Sequence, residues 1–130
     1  LMDLPDLSGA MHECARVLRP GGFAVLVFLH PCFNPPDGVE RLEDGSVRYR
    51  WPAHFPYIGS GRFDEDWGPF TSSFIGFHRP LSDYFAAILA AGMSVEDLRE
   101  PVAVNTQGLT EEQIQRARMT AYSVVLKVRR

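Results

Sequence analysis

The sequence predicts an α/β fold, and three observations support that prediction. Apolar residues recur at helical spacing over 7–18, an unbroken apolar segment follows at Phe23–Leu29, and Pro20-Gly21-Gly22 separates the two. The helical spacing is typical of an amphipathic helix, and a short apolar segment without alternation is typical of a strand buried on both faces. A helix, a glycine turn and such a strand make up half of a βαβ unit.

The first predicted helix is marked at both ends. Its apolar stripe consists of Leu7, Met11, Cys14 and Leu18. Asp6 is suited to the N-cap, and the Pro-Gly-Gly turn provides a glycine for the left-handed residue that commonly ends a helix.

The middle of the chain, at about 31–77, is rich in proline and glycine and holds most of the aromatic residues. We expect 46–51 to form a strand that pairs with 72–77, giving an aromatic-rich β-hairpin insertion above the carboxyl ends of the sheet strands. A long stretch without strong periodicity is usually a lid or an insertion over a site.

The last third of the chain returns to regular patterns. A second helix is expected from Leu81 to Gly92, followed by a short strand at about 93–98. Thr110 and Gln113 form a capping-box pattern for a third helix that ends near 118. The alternation over 122–128 predicts a final strand.

Length and composition indicate one globular domain over residues 1–130. Hydrophobic residues make up 45% of the chain and charged residues 22%, as in ordinary globular proteins. The net charge is −3 and no stripe of Lys or Arg occurs, so a nucleic-acid partner is not expected.

The expected compartment is the cytoplasm, with no membrane partner. Cys14 and Cys32 are too few for a disulfide framework. No basic stretch followed by an apolar one marks a signal peptide, and Phe23–Leu29 is too short to cross a bilayer.

Five segments, taken in order, carry a resemblance to a known family. They are Leu-Met-Asp-Leu-Pro-Asp at 1–6, Glu13-Cys-Ala-Arg-Val-Leu-Arg-Pro-Gly-Gly22, His30-Pro-Cys-Phe33, His78-Arg-Pro-Leu-Ser-Asp-Tyr-Phe85 and Ala91-Gly-Met-Ser. Together they resemble the C-terminal half of class I S-adenosylmethionine-dependent methyltransferases. The turn from Arg16 to Gly22 is the most specific element, and His30 to Phe33 narrows the resemblance to members that act on small molecules.

The resemblance implies a partial Rossmann-like fold in which the family's fifth, seventh and sixth strands lie side by side with flanking helices. It also implies S-adenosylmethionine as cofactor of the complete enzyme and an aromatic substrate cap. No Gly-x-Gly-x-Gly follows a strand in this sequence. We therefore expect a fragment whose cofactor-binding half is missing and which alone binds S-adenosylmethionine weakly or not at all.

The resemblance also assigns site residues. Asp3, Leu4 and Pro5 correspond to the end of the fourth strand, beside the reacting methyl group of the cofactor. His30 and Phe33 correspond to the end of the fifth strand. The imidazole of His30 suits a general base at neutral pH; the alternative is that it only caps the strand end and orients the following turn.

The predicted substrate pocket is largely aromatic. Its candidate lining residues are Phe33, Trp51, Tyr57, Trp67, Phe74 and His78. Such a pocket suits a flat or hydrophobic substrate. The alternative is that the insertion uses its aromatic residues to build a small core of its own. The pairs His12-x-Cys14 and His30-x-Cys32 do not match a zinc pattern, so no metal is expected.

These observations predict methyl transfer from S-adenosylmethionine to a small molecule. A non-enzymatic α+β module that binds an apolar small molecule is the alternative, because no paired acid and base is evident. Self-association through an exposed edge of the strand at Phe23–Leu29 is a further expectation, since unpaired strand edges bind other strands.

Overall fold

The computed structural model describes residues 1–36, 38–43, 47–49, 56–65 and 72–130. These residues form three helices and seven strands. In chain order they are α1 (Leu7–Val17), β1 (Phe23–Leu29), β2 (Val39–Arg41), β3 (Val47–Tyr49), β4 (Gly61–Glu65), β5 (Phe74–His78), α2 (Leu81–Ala90), β6 (Ser94–Arg99), α3 (Glu111–Met119) and β7 (Ser123–Arg129).

The main sheet has the order β1-β7-β6, and both neighbouring pairs are antiparallel. β1 pairs with β7 over its whole length, from Phe23 opposite Arg129 to Leu29 opposite Ser123. β1 and β6 therefore run in the same direction, and their carboxyl ends lie at the edge where β7 begins. The predicted order of the fifth, seventh and sixth strands is confirmed.

The hydrophobic core lies between one face of this sheet and the two helices α1 and α2. Alternate β7 residues, Val124, Leu126 and Val128, are fully buried there. Phe28 of β1 stacks on Tyr84 of α2 with ring centroids 4.2 Å apart. Burial of these side chains is the main stabilising contribution to the fold.

The opposite face of β1 is exposed in the described structure. Phe23, Val25 and Val27 are each more than half exposed. The expectation of helices on both faces is therefore not met by α1 and α2, which share one face. The sequence shows that both faces of β1 are apolar, but it does not show which face the neighbouring helices cover.

The described residues of the insertion form two separate antiparallel strand pairs, β2-β3 and β4-β5. The predicted pairing of 46–51 with 72–77 is wrong, because β3 pairs with β2 and β5 pairs with β4. Each observed pairing closes a shorter loop than the predicted one, which costs less chain entropy. Gly76 lies directly opposite Phe63, and a Cβ there would be 2.3 Å from the Phe63 ring.

The ends of the helices follow the predicted patterns. Asp6 caps α1 by accepting the N–H of Gly9 at 2.8 Å. Thr110 and Gln113 form the predicted capping box at the start of α3. Gly21 has φ of 74°, and its N–H donates to the carbonyl of Arg130 at 2.9 Å. The glycine turn thus fastens the start of β1 to the end of β7.

A β-bulge in β6 places a carboxylate beside two cationic side chains. The register shifts between Val95 and Asp97, which leaves Glu96 as the extra residue. Glu96 pairs with Arg129 and with Lys127, the latter at 3.0 Å. The hydrogen bonds from Arg129 and Lys127 lower the pKa of Glu96 to about 2. This carboxylate therefore stays ionised under all but strongly acidic conditions.

Replacing Ile88 by Ala should test the core assignment. Ile88 is fully buried on α2, whereas its neighbour Leu89 is 59% exposed. We expect Ile88→Ala to reduce the free energy of unfolding by about 2–5 kcal/mol, because the substitution leaves a cavity. Leu89→Ala in the same helix is the control and should cost less than about 1 kcal/mol. Urea unfolding monitored by circular dichroism measures both values, and equal losses would contradict the packing described.

Candidate functional site

The candidate site lies at the carboxyl-terminal edge of the main sheet. β1 and β6 end there, β7 begins there, and the turn 30–34 follows β1. In open α/β sheets, ligands bind in the crevice outside the carboxyl ends of the strands. The fold therefore puts His30 and Phe33 at the edge where a ligand is expected.

His30 is buried at this edge and both of its ring nitrogens have partners. Only 3% of the residue is exposed. Its Nε2 is 2.8 Å from Oε1 of Glu100, and the N–H of Cys32 donates to its Nδ1 at 3.2 Å. A backbone N–H can only donate, so Nδ1 is the acceptor and Nε2 carries the hydrogen that Glu100 accepts. The Phe33 ring packs on the imidazole with centroids 4.5 Å apart.

Three further groups hold the turn after β1. The Asn34 amide donates to the carbonyl of Tyr122 at 2.7 Å, and the N–H of His30 donates to the same carbonyl at 3.0 Å. Arg116 of α3 donates to the carbonyl of Phe33 and to Oδ1 of Asn34, the latter at 3.0 Å. The turn is thus fixed by Tyr122, the residue before β7, and by α3, in addition to its own strand.

Glu100 is the exposed member of the pair it forms with His30. Its side chain is 50% exposed, whereas that of His30 is 4% exposed. Sequence reasoning did not identify Glu100, which lies 70 positions after His30. The only local signal is that it directly follows a strand end, where site residues concentrate.

Cys32 lies in the same turn and is not an activated nucleophile. Burial raises the pKa of the Cys32 thiol, and the nearby Glu100 carboxylate raises it further. Reactive cysteines depend on the opposite effect, a positive environment that stabilises the thiolate. The arrangement therefore does not support covalent catalysis through this thiol.

The segment Asp3-Leu4-Pro5 is exposed, and hydrogen bonds from the end of β5 and from the residue after it hold its backbone. Nη2 of Arg79 donates to the carbonyls of Leu4 and Pro5, at 2.7 and 2.9 Å. The N–H of Phe77 donates to the carbonyl of Met2 at 2.8 Å. Arg79 lies within the segment His78–Phe85, but no local sequence pattern indicates this contact.

The predicted substrate residues divide between different parts of the structure. Phe33 packs on His30, whereas Tyr57 and His78 lie together, with Nε2 of His78 3.0 Å from the carbonyl of Tyr57. His78 is 1% exposed, so its position favours a packing role over contact with a substrate. Phe74 is 38% exposed on β5. The remaining two, Trp51 and Trp67, lie outside the described residues.

A cavity of about 570 Å³ opens between the segment that follows β6, the helix α3 and the start of β7. It is lined mostly by apolar side chains, with a few polar groups. The lining includes Pro101, Val102, Leu109, Gln113, Arg116, Ala117 and Tyr122. Sequence reasoning placed the pocket in the aromatic insertion and missed this one, although the apolar run Pro101 to Val104 in a loop was a signal.

The described residues contain neither a group of side chains that could bind a metal ion together nor a helix that could cross a membrane. No three His, Cys, Asp or Glu side chains within them are close enough to bind a metal ion together. None of their helices has the length and apolar character needed to cross a membrane.

Two crystal structures share this fold over nearly the whole chain. An S-adenosylmethionine-dependent methyltransferase from Mesorhizobium loti has a TM-score of 0.73 and 19% identity, with 99% of this chain matching 57% of that one. A protein from Listeria monocytogenes, described as an S-adenosylmethionine-dependent methyltransferase, has a TM-score of 0.77 and 16% identity, with 100% of this chain matching 57% of that one.

The chain therefore has the fold of these S-adenosylmethionine-dependent methyltransferases, and the predicted Rossmann-like α/β class is confirmed. It spans little more than half the length of each solved chain. No protein-family model matches the sequence, and no curated protein matches it.

The electrostatic effect of Glu100 on Cys32 can be tested by alkylation in a Cys14→Ser background. We expect the pH midpoint of Cys32 alkylation by iodoacetamide to lie above that of an ordinary cysteine. Glu100→Gln should lower that midpoint and speed alkylation at pH 8 by about threefold, because it removes a negative charge that disfavours the thiolate.

Glu43→Gln is the matched control, since Glu43 is an exposed carboxylate that does not contribute to the Cys32 shift. If Glu100→Gln and Glu43→Gln had the same midpoint and rate of Cys32 alkylation, Glu100 would not lie close to Cys32 as the structure places it.

Proposed function

We propose that this chain is the C-terminal part of an enzyme that transfers a methyl group from S-adenosylmethionine to a small molecule. The observation that carries the proposal is the match of nearly the whole chain to two S-adenosylmethionine-dependent methyltransferase structures. Cys14 and Cys32 are both free, which suits a reducing compartment such as the cytoplasm.

The segment Asp3-Leu4-Pro5 suits one side of the cofactor. Asp3 presents an exposed carboxylate, and Leu4 is 41% exposed beside it. A carboxylate favours the positive charge of a sulfonium, and an apolar side chain favours a flat base. S-adenosylmethionine supplies an activated methyl group, whereas the residues of this chain orient the acceptor and exclude water.

The methyl acceptor is proposed to bind above the same edge of the sheet. Phe33, Tyr57 and Phe74 provide aromatic surface, and Trp51 and Trp67 remain candidates for the same role. The cavity beside α3 provides further, largely apolar space that borders Tyr122. These features favour a small acceptor with a hydrophobic part.

His30 is proposed to act together with Glu100 when the acceptor loses a proton. Because Nδ1 of His30 already accepts a hydrogen bond and Nε2 faces Glu100, the imidazole has no free nitrogen to receive that proton. The half-exposed Glu100 carboxylate is the accessible proton acceptor of the pair, and buried His30 orients it and stabilises its charge. We therefore propose that His30 positions Glu100, in place of the general-base role predicted for it from the sequence.

Calorimetry on the natural polypeptide that contains this chain tests the proposal. We expect micromolar binding of S-adenosylmethionine. Asp3→Ala should weaken the binding about tenfold, equivalent to about 1.4 kcal/mol, since it removes the carboxylate that we propose to lie beside the sulfonium.

Asp64→Ala is the matched control, because Asp64 is exposed on β4 and pairs with Arg62. It should leave the affinity unchanged. Absence of S-adenosylmethionine binding by the natural polypeptide would overturn the proposed function.

We also propose that the outer edge of β1 binds another strand. In the described residues β1 is an outer strand of its sheet, and Val25 and Val27 of β1 are more than half exposed. An apolar strand with an unpaired edge is a template for strand addition. In a solution of the isolated chain, a second copy is the available partner.

Size-exclusion chromatography with light scattering should show a concentration-dependent dimer of the 130-residue chain. Val27→Lys should shift it to monomer, because a charge on an edge strand opposes pairing. Val102→Lys adds the same charge at a position that is 65% exposed outside the sheet and should leave the dimer intact. A wild-type chain that is monomeric at all concentrations would exclude this mode of association.

A further inference from the structure

Arg79 is a buried cation whose partners are neutral. The residue is 8% exposed, and within the described part of the chain it forms no ion pair with a carboxylate. Its Nη2 binds the carbonyls of Leu4 and Pro5, and its guanidinium lies 5.3 Å from the centre of the Phe77 ring. Burying a charge without an opposite charge is unfavourable, so a residue of this kind usually has a specific task.

The two carbonyls that Arg79 binds belong to consecutive residues on the cofactor side of the proposed site. One guanidinium nitrogen holds both, and the backbone N–H of Phe77 holds Met2 two positions earlier. The junction of β5 and α2 thus fixes the segment 2–5 at three points. A guanidinium is planar and rigid, which makes it better suited than an ammonium to fixing two acceptors in one geometry.

Tyr84 links this contact to Asp3. Burial raises the pKa of the Tyr84 phenol, the adjacent Arg79 cation lowers it, and the Asp83 and Asp3 carboxylates raise it further. The Asp3 carboxylate, which is proposed to face the cofactor, therefore acts on the same phenol as the Arg79 guanidinium.

His78, the residue before Arg79, contacts the insertion. Nε2 of His78 is 3.0 Å from the carbonyl of Tyr57, and the Tyr57 hydroxyl accepts the N–H of Leu81 at 3.1 Å. Two consecutive side chains therefore contact two separate segments, His78 the insertion and Arg79 the Leu4-Pro5 turn.

We infer that Arg79 is a positioning residue that sets the place of Asp3 and Leu4 and thereby the affinity for S-adenosylmethionine. The inference rests on the proposed function. Arg79 does not contact the cofactor itself; it holds the carbonyls of the segment that does. Because His78 and Arg79 are adjacent, the same short segment holds both the insertion, through His78, and the cofactor-side segment, through Arg79.

The first test measures the affinity of the natural polypeptide for S-adenosylmethionine by calorimetry. Arg79→Gln removes the charge, and we expect at least tenfold weaker binding. Arg79→Lys keeps the charge but loses the planar fork, so it should restore part of the affinity. Arg62→Gln is the matched control, because Arg62 is an exposed arginine on β4 paired with Asp64.

A stability control separates positioning from general destabilisation. Ile88→Val weakens the core on α2 away from these contacts and should lower the melting temperature without changing the affinity. Equal affinity of wild type, Arg79→Gln and Arg79→Lys would overturn the inference, as would a loss in Ile88→Val as large as that in Arg79→Gln.

The second test uses the 130-residue chain and needs no cofactor. Arg79→Lys should speed amide hydrogen exchange at least fivefold at Leu4, whose N–H donates to the carbonyl of Leu1, and at Phe77, whose N–H donates to the carbonyl of Met2. Exchange at Leu126 in β7 should not change. Wild-type polypeptide that fails to bind S-adenosylmethionine would refute the proposed function, while unchanged exchange at Leu4 and Phe77 would refute the role of Arg79.

Discussion

The rest of the structure depends on the central position of β7. Its inward residues Val124, Leu126 and Val128 are fully buried, and its backbone bonds to β1 on one side and to β6 on the other. Because β7 runs opposite to both neighbours, the ends of β1 and β6 meet at one edge. The positions of the turn after β1 and of Glu100, and hence the contact of His30 with Glu100, follow from that arrangement.

The regular elements of the fold could be predicted because their signals are local. The apolar stripe of α1, the capping box at Thr110 and the alternation in β7 each lie within one element. The strand pairing within the insertion could not be predicted, because β3 could pair either with a strand close to it in the sequence or with a more distant one. The nearer partner forms the pair, as chain entropy favours. Likewise, an apolar sequence in β1 does not specify which face the helices cover.

The position of the candidate residue His30 in the fold could be predicted, but the contacts of the candidate site could not. The position of His30 after a strand end marked it as a candidate, and the structure puts it at the expected edge. Its partner Glu100 and the contact of Arg116 with Asn34 join residues 70 and 82 positions apart. No local pattern indicates such pairs. The contacts of Arg79 could not be predicted for the same reason, because its hydrogen bonds to the carbonyls of Leu4 and Pro5 join residues far apart in the sequence.

Hydrogen bonds join several described residues of the insertion to the remainder of the molecule. Asn34 bonds to Tyr122 at the beginning, and further along Ser60 bonds to Asp83 while Tyr57 bonds to the first turn of α2. The two bonds from Tyr57 and Ser60 tie the start of the strand pair β4-β5 to α2. A displacement of that helix would therefore carry the strand pair with it.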